Sequence, residues 1–276
     1  AERPDIVFHA AALKHVPLVE ANLIEGARTN VLGVQIIADA CARHGVAAMV
    51  LISTDKAVNP TSVMGASKRL AEMYCQGLDV TARSSGQGMA CVTVRFGNVL
   101  GSTGSVVPLF QRQLARGGPL TVTHPDMRRY FMTVKEAVGL VLHASVLGVG
   151  DADLPAARDG GIFVLDMGEP VKIVDLARQM ISLAGLRPDI DIKIAFTGPR
   201  PGEKLYEEVL HDSEPPQTTE YDGILLAAPR VAEYAPLARA IDALVAAARA
   251  GSEAEILALI RHHVPEYQPT VSDQGR

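Results

Sequence analysis

The chain has 276 residues, 48% of them hydrophobic and 21% charged, with a formal net charge of −5 at pH 7. That composition fits a soluble globular protein with room for one large α/β domain or two small ones. The acidic balance, the 4% aromatic content and the absence of Trp argue against a binder of nucleic acid or of anionic membrane surfaces.

Cys41, Cys75 and Cys91 are odd in number and far apart, with no CxxC pair. Neither a disulfide framework nor a zinc site is supported, no metal is expected, and a reducing, cytoplasmic compartment fits. No apolar run of about 18 residues is present, so membrane insertion by this chain is not expected, and no signal peptide is visible. Residue 1 is Ala and a strand pattern begins almost at once. The expectation is a chain that starts partway through a domain.

In chain order, Pro4–Ala12 reads as a short buried strand ending in the small residues Ala10, Ala11 and Ala12. Small side chains there let a flat group approach the backbone. Residues 17–31 carry helical spacing, and a second helix over 34–43 stops at His44-Gly45. Met49-Val50-Leu51-Ile52 is a continuous apolar run, as for a parallel strand buried on both faces. A helix follows from about 62 to 84, then a strand over 90–96. Strand and helix alternate, which predicts a parallel sheet with helical crossovers.

Beyond residue 105 the alternation loosens. Helices are predicted over 106–116, 134–147 and 170–184, with strands over 119–122, 162–166 and 190–196. Residues 148–161 read as an exposed loop, 233–262 as one Ala-rich helix, and the chain after Pro265 as disordered. A dinucleotide-binding fold would open with a strand, a Gly-rich turn and a helix. No such turn precedes residue 49. Gly97, Gly101 and Gly104 read equally as a loop beside a ligand and as a plain hinge.

The chemistry concentrates in residues 53–68. Ser53, Thr54, Asp55 and Lys56 sit at the carboxyl end of the 49–52 strand, where open α/β sheets bind ligands. Pro60 delays the next helix, and Met64 and Lys68, four apart, share one of its faces. An ordinary strand-to-loop junction with solvated charges has the same pattern.

Several ordered motifs decide between these readings. His9-Ala10-Ala11-Ala12-Leu13-Lys14-His15-Val16-Pro17, Ser53–Pro60, Met64-Gly65-Ala66-Ser67-Lys68-Arg69, Arg95–Ser102, Arg129–Thr133 and Arg200-Pro201-Gly202-Glu203-Lys204 resemble one family. It is the nucleotide-sugar 4,6-dehydratases of the extended short-chain dehydrogenase/reductase class. More narrowly, the chain is similar to their long, membrane-associated, CapD-like form from residue 4 to about 210. Met64, where most of the superfamily has Tyr in a Tyr-x-x-x-Lys pair, is shared with that long form. The missing Gly-rich turn implies a C-terminal fragment. Its full-length parent would be anchored to the inner membrane, with this domain in the cytoplasm.

The resemblance implies a partial Rossmann-like, doubly wound sheet with a small α/β substrate subdomain. Residues 1–105 would be the C-terminal part of the NAD-binding domain and 106–232 mostly the substrate subdomain, with segments returning to the sheet. Residues 233–276 would form a helical segment and tail. The implied cofactor is NAD, held by Ala10, Ala11, Ala12, Lys14, Asn30, Ser53, Lys68, Phe96 and Asn98. The implied substrate is a UDP-sugar, UDP-N-acetylglucosamine, contacted by Asn98, Arg112, Arg129, Arg200 and Glu203. A homo-oligomer is implied for the full-length protein.

The family reaction oxidises C4 of the sugar, eliminates water across C5 and C6, and reduces C6. By resemblance, Thr54 holds the C4 hydroxyl, Asp55 protonates the leaving C6 hydroxyl and Lys56 takes the C5 proton. That last role calls for a Lys56 pKa lowered by burial or nearby cations. Met64 completes the implied catalytic set with Lys68, yet a thioether accepts no proton at neutral pH. The C4 proton then goes to an ordered water, or to Asp55 through it. For each arginine, a surface salt bridge is the competing reading. Two further functions stand beside the dehydratase. One is a C4 epimerase of the same fold, against which the Asp55–Lys56 pair weighs. The other is a non-catalytic nucleotide-sugar-binding remnant with little turnover.

Overall fold

A computed structural model describes residues 2–150, 157, 159–211 and 216–269. The apolar run ending at Ile52 forms a strand, Ala48–Ile52, paired in parallel with Ile6–His9 on one side and Ala90–Arg95 on the other. The Ala90–Arg95 strand pairs in parallel with Ile162–Leu165. Ile224–Ala227 and Gln217–Thr218 add antiparallel at the far edge, so the sheet has six strands.

The period-two alternation of strand side chains divides the core. Met49, Leu51 and Cys91 face the helices Val63–Ser85, Tyr234–Ala250 and Glu253–His263. Val50, Val92 and Val94 face the helix Val134–Val149 and the aromatic Phe163. A third, smaller core gathers Phe110, Leu120, Val122, Ile173 and Ile181 between the helices Val106–Ala115 and Ile173–Leu183 and the parallel pair Leu120–Val122 and Ile194–Phe196. The result is an α/β fold in which a parallel sheet carries the loops of the cleft and the smaller layer closes over them. All three cysteines are buried and free.

Several expectations are corrected. The helix expected over 17–31 is broken. Val16–Glu20 ends before Asn22, whose φ of −143° leaves the helical region, and Leu23–Ala27 runs through a π turn at Arg28–Leu32 into Gly33–Arg43. The single C-terminal helix is two, because Gly251 takes a left-handed φ of 75°. The strand expected over 190–196 is only Ile194–Phe196, since Arg187 and Asp191 tie off a turn ahead of it.

The chain after Pro265 is not free where it is described. Tyr267 is buried, Gln268 N–H donates to the Pro60 carbonyl at 2.9 Å, and Glu266 pairs with Arg69 at 3.1 Å. Much of the expected 148–161 loop, and the chain beyond residue 269, lie outside the described residues. Among the described residues no helix is long and apolar enough to cross a membrane, and no cluster of His, Cys, Asp and Glu could hold a metal ion.

Candidate active site

The loop after Ile52 has little freedom. Asp55 N–H donates to the Phe96 carbonyl at 3.1 Å, fixing the loop to the neighbouring strand. Ser62 caps the Val63–Ser85 helix by accepting from the Gly65 N–H at 3.1 Å. A Cβ on Gly65 would stand 2.2 Å from the Lys56 carbonyl oxygen, so only glycine lets the helix start lie against the Lys56 backbone. This contact brings Met64 and Lys68 to the loop that carries Thr54, Asp55 and Lys56.

A cleft of about 430 Å³ runs along the carboxyl ends of the strands. Ala10, Ala12, Lys14, Ser53, Thr54, Lys56, Met64, Lys68, Phe96, Asn98, Arg129, Arg200 and Glu203 line it. A recess of about 220 Å³ shares Lys14, Lys56, Asn98, Arg129, Arg200 and Glu203, and adds Lys204 and Glu207. Thirteen of the residues singled out from sequence are therefore brought together.

Four are placed elsewhere. Ala11 lies between two lining residues without lining the cleft. Asp55 sits just beneath it, 1% exposed. Asn30 is buried and clamps the loop from below: it accepts from the Leu13 N–H at 2.8 Å and donates to the Leu13 carbonyl at 2.9 Å. Arg112 is exposed on the Val106–Ala115 helix and does not reach the cleft. His15 also lines both spaces.

Asp55 and Lys56 form an ion pair beside the cleft. Asp55 Oδ1 accepts from Thr54 Oγ1 at 2.8 Å and from Lys56 Nζ at 2.9 Å. Among the described residues, Asp55 Oδ2 is buried without a hydrogen-bond partner. Lys56 Nζ also donates to Asn98 Oδ1 at 3.3 Å and lies 3.7 Å from Glu207 Oε1. Burial opposes the charge on Lys56, but the Asp55 and Glu207 carboxylates outweigh it and hold its pKa above the ordinary lysine value. The expected lowering of this pKa is thereby corrected: two anions face the amine, against the opposing effect of the Arg129 cation.

Lys68 behaves in the opposite way. It is 4% exposed and donates to the Ile52 carbonyl at 2.7 Å. Burial lowers its pKa despite the attraction of Glu72. Burial, and then the Lys68 charge, also lower the pKa of His9 at the adjacent strand end.

Ser53 turns its hydroxyl to Glu72 Oε1 at 2.6 Å, where Arg95 also donates to both carboxylate oxygens at 2.8 and 2.6 Å. Burial disfavours the charge of Glu72, yet Arg95, and then Arg69 and Ser53, hold its pKa below the usual carboxylate range.

Sequence reasoning missed Glu207. It is 8% exposed and stands between two cations, Lys56 at 3.7 Å and Arg129 Nε at 3.5 Å. Its available signal was its place four residues after Glu203 in the segment that follows Arg200-Pro201-Gly202. Glu203 itself meets Arg129 at 3.6 Å and accepts from the Arg200 N–H at 3.1 Å.

The chain is similar to several known proteins. The chain is 54% identical over 212 residues to the capsular polysaccharide biosynthesis protein CapD of Staphylococcus aureus, covering 77% of this chain and 33% of that protein. It is 52% identical over 211 residues to the probable polysaccharide biosynthesis protein EpsC of Bacillus subtilis, covering 76% and 33%. The chain thus spans about a third of the length of these curated relatives. A UDP-glucose 4-epimerase of Rickettsia canadensis is 41% identical over 210 residues, covering 76% of this chain and 57% of that protein.

Among solved structures, Pen from Bacillus thuringiensis superposes with a TM-score of 0.68 at 34% identity, over 81% of this chain and 65% of that one. The Thermus thermophilus UDP-glucose 4-epimerase in complex with NAD superposes at 0.61 and 23% identity, over 75% and 69%, a likeness of fold. The family of polysaccharide biosynthesis proteins matches residues 1–229. An Asp–Lys pair at a strand end, a cleft along a Rossmann-type sheet and a match over most of the chain converge: the chain belongs to the polysaccharide biosynthesis protein family, in the extended short-chain dehydrogenase/reductase class.

Proposed function

We propose that this chain carries the catalytic loop of an NAD-dependent dehydratase that converts UDP-N-acetylglucosamine to a UDP-4-keto-6-deoxy-N-acetylhexosamine for polysaccharide synthesis. The observation that carries this reading is the Asp55–Lys56 pair, bonded at 2.9 Å beside a cleft that Met64 and Lys68 also line. Elimination needs an acid and a base on neighbouring atoms, and two adjacent residues of opposite type supply them. The relatives in capsular polysaccharide synthesis support the direction of the reading.

The cleft fits a dinucleotide. Ala10 and Ala12 leave backbone accessible at one end, and Lys68 presents a buried amine at the floor. Ala10, Ala12, Ser53, Lys68 and Phe96 would hold NAD, which supplies hydride acceptance and return when bound. Arg200, with Arg129 beside it, gives the recess charge for a diphosphate, and its planar guanidinium fork suits the oxygens. Asn98 already accepts from Lys56 through Oδ1, so its amide N–H groups are the ones that face a ligand.

In this mechanism Thr54 orients the C4 hydroxyl, and a water, or Asp55 through it, takes the C4 proton in place of Met64. Lys56 in its neutral form removes the C5 proton, and Asp55 passes the proton it received from the C4 hydroxyl through that water to the departing C6 hydroxyl. Because its carboxylate partners raise the Lys56 pKa, the neutral fraction grows with pH, and the rate rises toward alkaline pH until that pKa is passed.

The roles separate by isotope exchange. Lys56→Met loses solvent deuterium uptake at C5, and Asp55→Asn forms dehydrated product roughly 10²- to 10⁴-fold more slowly. Full-rate product formation by Asp55→Asn would remove it from the reaction.

The similarity to a UDP-glucose 4-epimerase favours a second reading, C4 epimerisation in the same cleft. An epimerase leaves the substrate mass unchanged, and the dehydratase does not.

A further inference from the structure

Charges alternate across the recess. Asp55, Lys56, Glu207, Arg129 and Glu203 follow one another at 2.9, 3.7, 3.5 and 3.6 Å. They come from four stretches of chain: the loop after Ile52, the strand Arg128–Arg129, the turn at Gly202-Glu203 and the segment that follows it. Glu207 is the middle member and the only carboxylate among them that faces both cations.

Its surroundings leave it few other partners. Arg129 spends its third donor nitrogen on the Arg128 and Leu205 carbonyls, at 2.7 and 3.3 Å, and so presents only Nε and one terminal nitrogen to the acids. Lys204 turns away to the Val58 carbonyl and to Glu208. The groups facing the Lys56 amine are Asp55, Asn98 and Glu207, with Arg129 behind. Asp55 is adjacent in sequence and tied to Thr54. Asn98 and Glu207 are the amine's long-range contacts, and of the two Glu207 carries the charge.

We propose that Glu207 is a positioning residue that holds the Lys56 ammonium in the recess and links it to Arg129, so that one side chain couples the protonation of Lys56 to the diphosphate end of the site. This rests on the dehydratase reading for what Lys56 does, but the linkage itself is a property of the ion cluster. Removing Glu207 takes away one of two anions facing Lys56. Removing Arg129 takes away its opposing cation and frees Glu207 for the amine. The two changes act on Lys56 in opposite directions.

The test reads the amine directly on the 276-residue chain. An amine-selective acylating reagent is applied across a pH series, and modification of the Lys56 peptide is followed by mass spectrometry, with Lys204 and Lys172 as internal references. For Glu207→Gln the labelling curve of Lys56 moves to lower pH, giving about tenfold more reactive amine at a matched pH below the midpoint. Glu207→Asp returns toward the wild-type curve. Arg129→Met moves it to higher pH. A general loss of folding would shift Lys56 toward ordinary lysine behaviour in both the Gln and Met variants, so opposite shifts separate charge coupling from unfolding. Superposable curves for wild type and Glu207→Gln, or same-direction shifts for Glu207→Gln and Arg129→Met, overturn the proposal. No turnover is needed, so a failure of the dehydratase reading appears only in the product assay.

Discussion

At the scale of single residues, the site depends on contacts too close to tolerate added atoms. Gly65 is the clearest case. Its missing side chain lets the Val63–Ser85 helix lie against the Lys56 carbonyl, and a methyl group there would stand 2.2 Å from that oxygen. Gly65→Ala is expected to lower stability by about 1–3 kcal/mol and to displace Lys56 from Asp55, measured by urea unfolding and by the Lys56 labelling curve. Wild-type values for both would mean that the loop yields without cost. The residues of this loop were legible in the sequence because their chemistry is local: Thr54, Asp55 and Lys56 are consecutive, and Met64 and Lys68 are one helical turn apart. Glu207 was not, because its partners lie far back along the chain and only the turn at Gly202, with a φ of 75°, aims it at them. The direction of the Lys56 shift was missed for the same reason, since one of the two carboxylates that raise it is Glu207.

At the scale of elements, the strand end carrying Ser53 is anchored to the long helix by a buried ion cluster. Glu72 receives Arg95, Arg69 and the Ser53 hydroxyl, and none of the three charged side chains is more than 2% exposed. Breaking such a cluster leaves uncompensated buried charge. Glu72→Gln is expected to cost about 3–5 kcal/mol in denaturant unfolding at neutral pH. The sign of its pH dependence follows from the depressed pKa: the contribution is present above the ordinary carboxylate range and is lost as pH falls through the folded value. Wild type should lose stability on acidification more steeply than the variant, and parallel curves would contradict this. The alternating strands and helices of the first hundred residues were readable from apolar runs and caps. The breaks at Asn22 and Gly251 were visible as residues, but not decisive as pattern, because apolar spacing continues across both.

For the molecule as a whole, the C-terminal segment closes the fold over the helix that carries Met64 and Lys68. Tyr234–Ala250 and Glu253–His263 share its core, Glu266 pairs with Arg69, and Gln268 bonds Pro60 in the loop leading to that helix. Their Ala-rich periodicity was legible. Their docking was not, since it is set by how Leu237, Ile241 and Ile256 join Leu70 and Met73 in one core. Tyr267→Ala is expected to destabilise the chain by about 3 kcal/mol, read as a lowered denaturant midpoint, and an unchanged midpoint would show that the segment adds nothing to the fold. The central claim is the reaction itself. It is tested most directly by incubating the protein with UDP-N-acetylglucosamine and NAD, and following the sugar nucleotide by mass spectrometry. Loss of the mass of one water, dependent on both Asp55 and Lys56, is the result expected. A new isomer of unchanged mass would establish epimerisation instead, and no conversion would leave the cleft a binding site without this chemistry.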